Sequence, residues 1–69
     1  MFTYEEAKIA WLYERGMGPQ DIMDITGYSF FYITSFVNRY LTLDDEQLDI
    51  ISNQILDLFE SVHYNTYST

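Results

Sequence analysis

His63 is the single histidine of a 69-residue chain without cysteine, and it is the first candidate for proton transfer. It has no serviceable companion, because no serine, cysteine or carboxylate pair stands at a spacing that joins a nucleophile to its base or an acid to a base. Asp44, Asp45, Glu46 and Asp49 are the densest group of hard oxygen ligands. A calcium loop alternates its ligands and turns on a central glycine, and this run does neither. Gly16 and Gly18 lack the third glycine and the preceding strand of a phosphate-cradling loop. The absence of cysteine also removes disulfides, a thiol nucleophile and any zinc site built on thiolates. The expectation is a protein that is no enzyme and needs no cofactor or metal, so the chemistry left to it is recognition.

Candidates for recognition lie in the stretch GYSFFYITSFVNRY, residues 27–40, where aromatic rings crowd together and Arg39 is the one charge. No acid occurs between Thr26 and Leu43, although the chain as a whole has eleven acidic residues, three basic ones (Lys8, Arg15 and Arg39) and a formal net charge of −8. Such a balance opposes steering towards nucleic acid or an anionic membrane and favours a partner whose own surface is basic. Hydrophobic residues at 48% and aromatics at 19% are too many for a disordered chain. Apolar runs are only a few residues long, and no basic region leads into one at the N-terminus, so neither a membrane span nor a signal peptide is expected. A cytoplasmic location follows as the expectation.

Helices must position these residues. Thr3 and Glu6 have the spacing of a capping box, which predicts a first helix over 4–15 closed by Gly16, with Ala7, Ile9, Ala10, Leu12 and Tyr13 on a wide buried side. Pro19 suits the first position of a short second helix over 19–26, ended by Gly27. Ser29 can cap a third over 30–41. Thr42, followed by Asp45, repeats the cap spacing ahead of a fourth helix over 44–62, whose acidic start Asp44, Asp45 and Glu46 suits the positive end of the helix dipole. The fold class is therefore all-α, a compact single domain of about four helices over 1–63, with a frayed polar tail over 64–69. Trp11, Phe2 and Phe59 are expected as packing anchors, since so small a domain needs large side chains to bury enough area.

Residues 9–41 resemble the helix-turn-helix superfamily. Met23, Gly27, Tyr28, Ile33 and Phe36 stand at the positions of its mid-helix residue, turn glycine and following apolar residues, and IAWLYERGMGPQDI is similar to its leading helix and loop. The resemblance implies that helix three is the contact element. With Ile33, Phe36, Val37 and Tyr40 inward, the helical period leaves Phe31, Thr34, Ser35, Asn38 and Arg39 outward and Tyr32 at the margin. In a DNA-binding member, Asn38 would pair with adenine, Arg39 would reach guanine or phosphate, and Thr34 or Ser35 would donate to base edges.

Two uses of that face stand open. As a DNA-binding regulator the chain would have only Lys8, Arg15 and Arg39 to neutralise phosphates. As a protein-binding scaffold it would present Phe31 and Tyr32 between acidic flanks, which suits a basic surface such as that of a nucleic-acid-binding protein. Small acidic regulatory and inhibitory proteins of phages and mobile elements are similar in this respect. The second use is the expectation, and DNA binding is the alternative. In helix four, Leu48, Ile51, Ile55, Leu58 and Val62 form an apolar seam spaced by threes and fours, for packing on the other helices or for a homodimer.

Overall fold

In the computed structural model, which describes residues 1–60, each helix begins where a side chain or a proline meets the unpaired backbone. Helix α1 spans Tyr4–Glu14, capped by the Thr3 hydroxyl on the Glu6 N–H while the Glu6 carboxylate accepts from the Thr3 N–H. Gly16 then turns the chain with φ 93°, a left-handed conformation in which a side chain would be strained. Helix α2 spans Pro19–Thr26 and ends on Gly27 at φ 77°. Helix α3 spans Phe30–Tyr40 behind the Ser29 cap, and α4 spans Asp45–Ile55. Among the described residues the architecture is all-α, with four α-helices and no strand.

The start of α4 differs from the cap expected at Thr42. Asp44 is the extended residue that precedes the helix, and its carboxylate accepts from the Gln47 N–H at 2.9 Å. Thr42 lies back in the turn, where its hydroxyl donates to the Arg39 carbonyl at 2.8 Å. Both residues had the right chemistry for a cap; the backbone geometry of the turn selected between them.

The end of α4 departs further. Residues Leu56–Glu60 wind as a π-helical turn, so the fourth helix is not one continuous α-helix over 44–62. A π turn takes in an extra residue and rotates whatever follows it relative to the α-helical register. Leu58, an expected seam position, is consequently exposed at 40%, while Phe59 is brought flat against Trp11 with ring centroids 4.7 Å apart and planes at 7°.

Helix α1 is the element against which α2, α3 and α4 all pack, which explains its wide apolar face. Ala7, Ile9, Ala10 and Leu12 are buried there, and the two alanines let neighbouring helices approach closely. Ile22 from α2, Ile33, Phe36, Val37 and Tyr40 from α3, and Ile51 from α4 complete the core, with Phe2, Trp11 and Met23 packed at its edge. A Gln54 side chain fastens the N-terminal end. Its amide oxygen accepts from the Phe2 N–H at 3.0 Å and its amide nitrogen donates to the Phe2 carbonyl at 2.8 Å, holding residue 2 to α4.

Candidate functional site

The turn between α2 and α3 sets the aim of α3. The Gly27 N–H donates to the Met23 carbonyl at 2.8 Å, and the Thr26 hydroxyl donates to the Ile22 carbonyl while accepting from the Tyr28 N–H. Thr26 had no role in the sequence reading. Its signal was the position of a hydroxyl four residues after a helical carbonyl and two before a free N–H, the pattern of a local side-chain bridge.

With the turn set, α3 buries Ile33, Phe36, Val37 and Tyr40 and exposes its other side. Phe31 is 79% exposed, Phe30 49% and Tyr32 39%. Ser35, Asn38 and Arg39 are exposed as well, and Thr34 is half-buried. The Thr34 hydroxyl is turned back on its own helix, donating to the carbonyls of Phe30 at 3.0 Å and Phe31 at 3.2 Å, so its proton is not directed outward. Phe30 is an addition to the expected face. Periodicity groups it with Ile33, three residues on, and does not register that the first turn of a helix is only partly covered by its neighbours.

All three basic residues of the chain are engaged within it. Lys8 lies over the Tyr4 ring at 5.9 Å, Arg15 over Trp11 at 5.4 Å and Arg39 over Phe36 at 5.3 Å. Arg39 also donates to Glu6 at 2.6 Å. Burial of Glu6 acts to raise its carboxyl pKa, but the Thr3 hydrogen bonds and Arg39 outweigh it and hold the group below its ordinary value.

Acids from α1 reach the stretch that is acid-free along the chain. Glu14 accepts a short hydrogen bond from the Tyr40 hydroxyl, and burial together with that bond pushes Tyr40 well above the ordinary range of a phenol. Tyr28 is raised too, by burial first and then by the nearby charge of Glu5 and the hydroxyls of Tyr4 and Tyr32. Tyr28 and Tyr32 pack edge to face, 6.1 Å apart at 87°.

The α4 positions separate into two groups. Ile51 is fully buried within the single chain, and Leu48 and Ile55 pack at the edge of the same core; Leu58 faces solvent, and Val62 lies outside the described residues. His63 lies outside them also. Beside α4, an open groove of 620 Å³ is lined by Trp11, Glu14, Tyr40, Ser52, Ile55 and Leu56, among others. The Trp11 indole N–H is buried without a hydrogen-bond partner among the described residues. Those residues contain no group of three or more His, Asp or Glu that could hold a metal ion, and no helix long and apolar enough to cross a membrane.

No family model, curated protein or solved structure matches the chain, so the functional reading rests on its own residues.

Proposed function

We propose that this chain is a small, non-enzymatic regulatory protein that binds a protein partner through the outward side of α3 and thereby modulates or inhibits it. The partner surface is basic, as on a nucleic-acid-binding protein. One observation carries the reading: Phe30, Phe31 and Tyr32 stand consecutively exposed at the start of α3. Large rings grouped in water are what a protein interface covers, and aromatic residues dominate the centres of such interfaces. Ser35, Asn38 and Arg39 continue the face along the helix, with Thr34 at its edge.

The DNA-binding alternative would lay the same helix in the major groove, and the arrangement of α2, the Gly27 turn and α3 favours it. Against it stands the charge. DNA affinity depends on cations free to neutralise phosphates, whereas Lys8, Arg15 and Arg39 each lie on a ring of this chain, in a molecule of net charge −8.

Affinity purification of the tagged protein from its host, with nuclease treatment, should yield a stoichiometric protein that the Phe31→Ala variant no longer retains while its circular dichroism is unchanged. Retention by both Phe31→Ala and Arg39→Glu would remove α3 as the site. A shift of duplex DNA by the isolated protein at low salt would favour the alternative.

A further inference from the structure

We propose that the partner places a cationic side chain, arginine or lysine, against the perpendicular tyrosine pair Tyr28 and Tyr32 at the start of α3. This rests on the protein-binding reading above and specifies the chemistry at the edge of that surface.

Cation–ring contacts already occur three times within the chain, between near neighbours in sequence. The lysine and both arginines each lie over an aromatic ring three or four residues away along the chain, at 5.3–5.9 Å from the centroid, and Arg39 combines a ring with a carboxylate, Phe36 on one side and Glu6 on the other. The attraction between a cation and the negative face of a ring strengthens where both are partly removed from water, and a nearby carboxylate adds to it. Lys8, Arg15 and Arg39 each lie over a ring other than Tyr32, which is 39% exposed.

Geometry and charge at the pair fit a cation from outside. Two rings 6.1 Å apart at 87° form a corner with faces turned in different directions. Glu5 is exposed on the first turn of α1. The Tyr28 pKa is raised by burial first and then by the charge of Glu5 and the hydroxyls of Tyr4 and Tyr32, so the negative charge of Glu5 is felt at the pair. The net charge of −8 draws a basic surface in, and the corner gives one of its side chains a defined seat. The acids at the start of α4 differ in that Asp44 is occupied with its cap.

The test titrates the isotope-labelled full chain at low salt with acetyl-arginine methylamide and acetyl-lysine methylamide. The uncharged isosteres, citrulline and acetyl-lysine in the same form, are the controls. The proposal expects resonances of Tyr28, Tyr32 and Glu5 to move with the charged probes and not with the isosteres, and the apparent affinity to fall about fivefold in Tyr32→Leu. It is overturned if the isosteres move the same resonances equally, if the shifts centre on residues 44–49, or if Tyr32→Leu, with its fold confirmed by circular dichroism, binds as before. The wild-type titration decides the first two points without any variant. A null titration together with loss of the partner in Phe31→Ala would sink the cation seat and leave the protein-binding reading standing. Retention of the partner in both Phe31→Ala and Arg39→Glu would remove that reading and, with it, this inference.

Discussion

Arg39 and Glu6 meet at 2.6 Å, tying the last turn of α3 to the first turn of α1 across 33 positions of chain. Arg39 is the one charge in a stretch without acids, yet in space it has an acid for a partner. Tyr40 next to it has Glu14, and Tyr28 lies under the influence of Glu5. The aromatic strip is acid-free only along the sequence. Helix α1 supplies carboxylates along its margin and leaves Phe30 and Phe31 exposed.

Glu6 serves both the Thr3 capping box and the Arg39 bridge. Arg39 is 56% exposed, so the bridge should contribute less than about 1 kcal/mol, and Glu6→Ala removes in addition the bond its carboxylate accepts from the Thr3 N–H, while the Thr3 hydroxyl keeps its cap on the backbone N–H of residue 6. Glu6→Ala should therefore destabilise more than Arg39→Ala in urea unfolding at neutral pH. Because the folded-state pKa of Glu6 lies below its ordinary 4.5, its contribution is present above that pH and is lost as pH falls through the folded value. Glu6→Gln should flatten the loss of stability on acidification below about pH 4.5.

Trp11 is the only tryptophan and stacks on Phe59, so its fluorescence reports on the π turn directly. Phe59→Ala should red-shift that emission and cost about 1–3 kcal/mol, below the cost at a fully buried phenylalanine because Phe59 is only half-buried. An unchanged emission maximum would mean that the turn does not seat on α1 in solution.

Tyr40 should shape the alkaline limb of stability. Its folded pKa is raised above the ordinary 10.0, so the folded state holds its proton where the unfolded chain releases it. The contribution is complete below about pH 10 and declines as pH rises beyond it. Tyr40→Phe should cost about 1–2 kcal/mol at neutral pH through loss of the Glu14 hydrogen bond. The same change should reduce the fall in stability between pH 9 and 11, with Tyr28 supplying what slope remains.

Ile51 and Leu58 test the register of α4. Ile51 is fully buried, so Ile51→Ala should cost about 2–5 kcal/mol. Leu58 is 40% exposed, and Leu58→Lys should change stability by less than about 0.5 kcal/mol. Should the chain sediment as a dimer, Leu58→Lys is also the variant that probes α4 as its interface without opening the core, which Ile55→Lys would do.

Much of the local structure was legible because its causes are local. Thr3 with Glu6, Gly16, Pro19, Gly27 and Ser29 act within a few residues of themselves, and each stands where its helix begins or ends. The inward side of α3 followed from the 3.6-residue period, and so did the exposure of Phe31, Ser35 and Asn38. At Thr42 and Asp44 local chemistry was ambiguous, since two adequate caps lay two residues apart. The π turn at Leu56–Glu60 escaped the periodicity altogether: Phe59 was expected as a packing anchor, but its stacking on Trp11 follows from the turn, which a heptad pattern carried through it does not contain.

The sequence by itself determined an acidic, cysteine-free, four-helix chain with an aromatic third helix, since composition, caps and period are properties of neighbouring residues. The rings under Lys8, Arg15 and Arg39 stand three or four residues away along the chain, whereas only the tertiary structure decided that Glu6 and Glu14 meet Arg39 and Tyr40 of the strip that has no acids of its own, and that Gln54 holds Phe2. Those pairings depend on how α1 lies across α3 and α4, and the order of residues along one helix carries no record of which residues of another it will meet.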